Sequence, residues 1–506
     1  MAGGGFTVID PAADIEAKIT LSVIITCIVA ASSGLIFGYD IGISGGVTTM
    51  VPFLQKFFPE VLKKAASAEK DTYCVYDSQL LTLFTSSLYI AALVTSLTAS
   101  RVTACIGLRN TIMLGGVIFL VGGAVNGGAQ NVAMLILGRI FLGFGVGFTN
   151  QATPLYVSEV APPKWRGTLG TSFQFFVQIG IVGASMVNSG VAQHPYGWRI
   201  ALGSAVVPAA LITIGAFIIT DTPTSLVERG KIDHARKALC KVRGSDDIQL
   251  ELDELVRRSV DAKSMKQEPF ATIFERQYRP HLVIAALLPL FHQFTGINMI
   301  AFYAPNLFQS TGFGQEAALH AHVVLGVVNF ASIIIFSIIV DRVGRRFLFL
   351  VGGIQMLFCQ IAVAVVLAEA TGLHGMGGVS KGNATLLLVL FSCYSAGFGW
   401  SWGPLVWIVP SEIFPMKIRT IGQSITVSMQ FIAIFVTSQT FLSMLCLMKY
   451  GAFLFHAAWI IVMTLFIAFF LPETKGLHID SISALWCKHW YWRYFVKGDD
   501  ESPIQH

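Results

Sequence analysis

Two ionisable residues stand inside long apolar stretches of this chain. Asp40 closes the run Gly34-Leu35-Ile36-Phe37-Gly38-Tyr39, and apolar character resumes beyond it as far as Phe53. Arg139 lies about two turns into another run that begins near Asn131. A charged side chain at the centre of a membrane helix costs about 2.5–3.5 kcal/mol on insertion scales, so it persists where it has a partner or a task. If the first run crosses a bilayer outward and the second crosses inward, both side chains fall in the same outer half, where they can pair. One reading is a static pair that fixes helix packing. The other is a proton site. Burial favours the neutral acid and a neighbouring guanidinium favours the carboxylate, so a movement separating the two exchanges an ion pair for a bound proton.

Carboxamides form a second constellation. Gln174 and Gln178 are one turn apart on one helix face. His292, Gln293 and Asn298 surround Thr295-Gly296, where glycine can loosen a helix and expose backbone polar groups. Asn329, Gln423 and Gln430 sit in later apolar runs. An amide offers donors and an acceptor together, which suits hydroxyl groups that are likewise both. Each net hydrogen bond contributes about 1 kcal/mol, so a polyhydroxylated ligand needs several. Any single amide serves equally well as a bond between helices, but the set points to a polar cavity. Trp400, Trp402 and Trp407 surround Gly403-Pro404. The proline is expected to bend its helix, and an indole face can lie against the C–H face of a ligand ring. Gly143 and Gly147 read as close-packing positions. Walker, zinc-ligand and nucleophile–base patterns are absent from the sequence, which removes support for an ATP-driven pump, a metal centre or a hydrolase. No cofactor is expected, and the chain is not expected to be an enzyme.

The elements that must hold these residues follow from composition. Of 506 residues, 54% are apolar and only 12% charged. That inventory cannot cover a water-soluble surface but suits helices that face lipid. Apolar runs of about 20 residues recur along the chain. They place spans at roughly 19–46, 79–100, 111–130, 132–152, 168–190 and 199–220, then at roughly 280–303, 318–340, 347–369, 384–408, 421–445 and 452–471. The expected fold is therefore an all-α membrane protein of twelve transmembrane helices. The net charge of +5 is spread over connecting loops and excludes a nucleic-acid surface. The first residues lack the pattern of a cleaved signal peptide, so the first span is expected to act as the insertion signal.

Two segments repeat. Pro154-Leu155-Tyr156-Val157-Ser158-Glu159 leads to Arg166, and Val409-Pro410-Ser411-Glu412 leads to Arg419; acid and base are seven positions apart in each copy, and the copies are 253 apart. Thr220-Asp221-Thr222-Pro223 and Leu471-Pro472-Glu473-Thr474 recur at nearly the same offset. A shared offset at two places implies duplicated halves, hence two pseudo-symmetric six-helix bundles. The expected organisation is a cytosolic N-terminus at about 1–18, a bundle at about 19–220 with an extracellular loop near 52–78, and a cytosolic helical linker at about 221–279. A second bundle follows at about 280–471 and a cytosolic tail at about 472–506. The bases concentrated in the linker set this orientation, with both termini inside. Cys74 then falls in the outer loop and Cys446 at the outer end of the eleventh span, either as two free thiols or as a disulfide tying one half to the other.

The chain resembles the sugar porters of the major facilitator superfamily, and most closely the plant sugar transport proteins, which are hexose–proton symporters. The resemblance runs from about Ile19 to Gly476 and rests on seven motifs. They are Gly38-Tyr39-Asp40-Ile41-Gly42, Gly138-Arg139, Pro154 to Glu159, and Gln293-Phe294-Thr295-Gly296-Ile297-Asn298. Asp341-Arg342-Val343-Gly344-Arg345-Arg346, Trp402 to Trp407 and Pro472-Glu473-Thr474-Lys475-Gly476 complete them. It implies a monosaccharide and protons as partners, in the lipid bilayer of the plasma membrane. Asp40 and Arg139 match the symporters' proton pair. Gln174, Gln293, Asn298, Asn329 and Trp407 match sugar-contacting positions, with His292, Gly403 and Gln430 beside them. Glu159, Arg166, Arg345, Arg346, Glu412 and Arg419 match a charge network that closes the cytosolic side, and Cys74 with Cys446 match a disulfide between an extracellular lid and the other half. Three departures stand out. His292 replaces the first of two glutamines, Gln430 replaces an asparagine, and Cys105 to Asn110 lacks the basic pair present at Arg345-Arg346. The last implies fewer bases for Glu159. An uncoupled facilitator and a non-transporting sugar receptor are the alternatives. Asp40 argues against the first, and a tail of only about 30 residues argues against the second.

Overall fold

A bilayer core offers backbone amides no water, so a chain that crosses it must satisfy them within its own helices. The computed structural model describes residues 20–67, 78–162, 165–244, 248–264, 272–298, 300, 315–371, 380–475 and 482–496, and these are helical almost throughout. Eleven helices among the described residues are long and apolar enough to cross a membrane. In chain order the spans are α1 (Leu21–Val47), α2 (Gln79–Ile106), α3 (Leu108–Gly127), α4 (Val132–Val160), α5 (Arg166–Val191) and α6 (Gly197–Ile218). The next six are α7 (Arg279–Phe294), α8 (Gln315–Val343), α9 (Arg345–Thr371), α10 (Gly382–Ile413), α11 (Arg419–Met448) and α12 (Gly451–Phe470). The twelfth by this count is α7, which is interrupted at Gly296, φ +86°, so that its described part alone is too short to span.

Helix pairing repeats with a shift of six. Helices α1 and α5 pack together as α7 and α11 do; α2 on α4 matches α8 on α10; α3 on α4 matches α9 on α10; and α3 on α6 matches α9 on α12. The seam between the halves is α2 against α11 and α5 against α8, which the same shift exchanges. This is the arrangement that the two repeated motifs require. Close approach is built from glycine: a Cβ on Gly38 would lie 1.8 Å from the Val177 carbonyl oxygen of α5, and one on Gly143 would lie 2.1 Å from that of Leu88 in α2. Lipid-facing positions such as Ile338 and Phe358 are exposed, whereas polar side chains collect inside.

Two boundaries differ from hydropathy. Helix α4 continues past the apolar run through Pro154 and Glu159, because the polar residues along it, Gln151, Thr153 and Ser158, are buried against neighbouring helices instead of facing water. In α10 the chain breaks at Trp400–Ser401, ahead of Pro404, and Trp402–Ile413 starts a new helix. Pro404 has no N–H for the Trp400 carbonyl four residues earlier, so the break falls where a proline interrupts a helix, and Pro404 itself occupies the new first turn. Outside the spans, Pro223–Glu228, Ile232–Arg243 and Gln249–Ser264 form a small cluster around Leu226, Leu239 and Leu252 at one end of the bundle, here called the linker end. Near the chain's close, Trp492 Nε1 donates to the Phe470 carbonyl at 2.7 Å and Trp486 Nε1 to His281 Nε2 at 3.1 Å, so residues 482–496 dock onto the linker end.

Candidate functional site

Asp40 on α1 and Arg139 on α4 meet in a buried ion pair, with Arg139 Nη1 donating to Asp40 Oδ1. Both side chains are almost fully excluded from solvent. The second carboxylate oxygen and two of the guanidinium nitrogens have no hydrogen-bond partner among the described residues. The guanidinium lies 4.2 Å over the ring of Phe84 on α2, a cation–π contact. Phe84 also packs 5.4 Å from Phe53, which belongs to the short helix Val51–Phe57 after α1. One aromatic ring thus separates the pair from the loop that follows α1.

A cavity of about 50 Å³ lies between the halves, lined by α1, α5, α7, α8 and α10. That volume holds about four water molecules. Gln174, His292, Asn298, Asn329 and Trp407 line it. The side chain of Gln174 makes no hydrogen bond among the described residues. Asn329 Nδ2 donates to the Ser395 carbonyl at 2.9 Å, and Oδ1 has no partner among the described residues. Trp407 meets Phe173 edge to face at 5.1 Å. Gln293 and Gln430 stand one bond behind the lining: each turns its Nε2 to His292 Nδ1, at 3.2 and 3.1 Å. Because Asn298 Nδ2 donates to Gln293 Oε1 at 2.7 Å, the nitrogen of Gln293 is the atom facing His292. With Nδ1 accepting from two amides, a neutral His292 carries its hydrogen on Nε2, which is buried and has no partner among the described residues. Gly403 lies away from the cavity, against the Phe398 ring.

The break in α7 frees two backbone carbonyls within the second half, and both are met. Tyr394 Oη donates to the Thr295 carbonyl at 2.5 Å, assisted by Gln360 Nε2 at 3.4 Å. His456 Nδ1 lies 3.0 Å from the Phe294 carbonyl. The sequence reading missed these three residues, together with Phe37, Ile41, His322, Ser395 and Phe398 of the lining. For His322, His456 and Gln360 a signal existed, an ionisable ring or an amide in an apolar run; for the others none did.

At the linker end two acid clusters differ. Glu412 binds Arg345 at 2.8 Å; the same guanidinium holds Asp341 at 2.9 Å, and Thr474 donates to Glu412 at 3.1 Å. Glu159 accepts from Thr222 at 2.6 Å, but its charged partner Arg419 is 3.8 Å away and belongs to the other half. Leu108 follows Gly107 as Arg345 follows Gly344, and both glycines have positive φ, so the first half has leucine where the second has its central base. Thr168 of α5 bonds Asp341 of α8 through both its amide and hydroxyl, at 3.0 and 2.8 Å. Arg346 points away from the seam to the Ala468 carbonyl. The side chain of Arg166 and all of Cys74 lie outside the described residues, whereas Cys446 is held in a disulfide.

The family model for "Sugar (and other) transporter" matches residues 26–486. The chain belongs to the sugar transporter family. Within it, the chain is 58% identical over 502 residues to sugar transport protein 5 of Arabidopsis thaliana, covering 98% of this chain and 99% of that one. It is 50% identical over 508 residues to sugar transport protein MST3 of Oryza sativa subsp. japonica, covering 100% and 98%. The solved structure of XylE, described as a proton:xylose symporter of the major facilitator superfamily bound to 6-bromo-6-deoxy-D-glucose, superposes with a TM-score of 0.78 at 24% identity. That superposition covers 92% of this chain and 99% of that one and shows the shared fold. This plant-type sugar transporter is thus a multi-pass membrane protein of the major facilitator fold, a transporter and not an enzyme.

Proposed function

We propose that the protein is a proton-coupled monosaccharide importer of the plasma membrane, working by alternating access, with hexoses as substrates. The observation that carries this is the Asp40–Arg139 pair, buried in one half while the cavity lies between the halves. Protonation of Asp40 removes the charge that holds Arg139, and Phe84 gives the released guanidinium a second favourable surface. On this reading a ring hydroxyl finds a donor at His292 Nε2, an acceptor at Asn329 Oδ1 and both at Gln174, with the Trp407 indole for the C–H face. Unpartnered buried polar atoms cost about 1–3 kcal/mol each, so a hydroxylated ligand relieves what the cavity alone leaves unmet. Residues 19–220 and 280–471 form the two rocking bodies, and the linker end faces the cytosol, closed by Glu159–Arg419 and Thr168–Asp341 across the seam. The disulfide at Cys446 supports the tie between α11 and the outer loop that the resemblance implies, with Cys74 as the other half.

The test is labelled glucose uptake into proteoliposomes with and without an inward proton gradient. Accumulation that a protonophore abolishes supports symport. Equilibration indifferent to the gradient identifies a facilitator, and no uptake across a panel of monosaccharides identifies a receptor.

A further inference from the structure

A second and larger cavity, of about 500 Å³, opens at the linker end between the close of α6, the start of α3 and the helix Ile232–Arg243. Arg109, Arg229, Lys231, His234, Lys237 and Lys241 converge on it, against Asp221 as its one acid. That acid is already committed: Arg229 Nη2 pairs with it, and the Arg109 and Thr222 amides donate to it at 3.2 and 3.0 Å. The side chains of Lys231, His234, Lys237 and Lys241 are exposed and make no hydrogen bond or ion pair among the described residues. Lys237 and Lys241 are one turn apart on the same helix face, where like charges destabilise a helix. Bases near a membrane's inner surface are ordinary. Their convergence, unpaired, on a cavity at the end of a lipid-facing helix is not explained by that tendency.

We propose that this cavity binds the headgroup of an anionic phospholipid that carries a phosphate monoester. Such a group bears about −1.5 to −2 charge at neutral pH and suits several converging cations. A lipid is favoured over a soluble phosphate because Phe217 and Ile218 belong to the cavity wall and also end an exposed apolar stripe. That stripe runs along α6 through Val207, Leu211 and Ile214, each 57–61% exposed. Acyl chains lie along it while the headgroup reaches the bases. The placement in the cytosolic leaflet rests on the orientation proposed above; the pocket and its chemistry do not.

The experiment follows thermal unfolding of the purified full chain in detergent, by tryptophan fluorescence, during titration with dioctanoyl phosphatidylinositol 4-phosphate. Dioctanoyl phosphatidylcholine, inositol 1,4-bisphosphate and inorganic phosphate are the comparison ligands. A saturable rise in Tm is expected with the phosphoinositide. In Lys237→Ala/Lys241→Ala its half-saturating concentration should rise about 30-fold, taking about 1 kcal/mol for each base near the surface. Lys237→Arg/Lys241→Arg should restore it. Arg236→Ala/Lys488→Ala removes the same charge from exposed positions outside the cavity and should leave it unchanged. An equal rise with phosphatidylcholine, or an undiminished one in the alanine pair, overturns the proposal. A rise as large with inositol bisphosphate or phosphate assigns the cavity to a soluble ligand and overturns the lipid reading.

Discussion

Replacing Asp40 by asparagine separates a proton switch from a static strut. In a static buried pair, removing one partner leaves an uncompensated charge and typically costs about 3–5 kcal/mol. Here the orphan would be Arg139, fully buried and with two of its nitrogens already unpartnered. Two features lower the expected cost. The asparagine carbonyl oxygen keeps the acceptor for Nη1, and the Phe84 ring 4.2 Å away contributes about 2 kcal/mol to a desolvated guanidinium. Asp40→Asn, a mimic of the protonated acid, should therefore lose only about 1–3 kcal/mol of stability. Phe84→Leu in that background should restore much of the larger penalty. Denaturant unfolding in detergent measures the first quantity, and gradient-driven glucose accumulation in proteoliposomes measures the second, which Asp40→Asn should abolish. Unchanged accumulation by Asp40→Asn refutes the proton-site reasoning. A full penalty that Arg139→Gln relieves, with accumulation intact, establishes the strut.

The two linker-end acids should respond differently to neutralisation. Glu412→Gln removes the charge from a 2.8 Å buried pair with Arg345 and should cost about 1.5–3 kcal/mol, whereas Glu159→Gln keeps its Thr222 bond and has its cation farther off, and should cost less than about 1 kcal/mol, both read by unfolding. The Glu159 change should instead favour opening at the linker end, seen as faster alkylation of a cysteine introduced at the seam; no difference in rate counts against a closing role for Glu159–Arg419. Tyr394→Phe leaves the Thr295 carbonyl only the 3.4 Å contact from Gln360, so sugar affinity should fall about tenfold, by equilibrium binding, if α7's break positions the site. His292→Gln replaces a fixed donor by an amide and should change the ranking among hexoses in competition uptake; an unchanged ranking means His292 does not touch the sugar.

Much of the frame was legible in the chain because lipid imposes strong rules. A bilayer demands long apolar helices, so spans could be read from runs, and the duplicated Glu-to-Arg motif carried the two-fold pairing of helices. Asp40 and Arg139 were legible for the same reason, since an ionised residue in such a run is conspicuous. The loss of a base at Leu108 was visible too, but not its consequence, that Glu159 finds its charged partner 3.8 Å away in the other half.

What the sequence determined, then, was which segments enter the membrane, that they form two related halves, and which charged residues must find partners there. Only the tertiary structure decided which polar side chains face the cavity and which support them. Gln293 and Gln430 serve His292 from behind, while Tyr394, Gln360 and His456, 99, 65 and 162 positions from their partners, complete the carbonyls freed in α7. Hydropathy records whether a residue prefers lipid or a polar neighbour. It does not record the rotation of one helix against another, and that rotation determines which neighbour each polar atom meets.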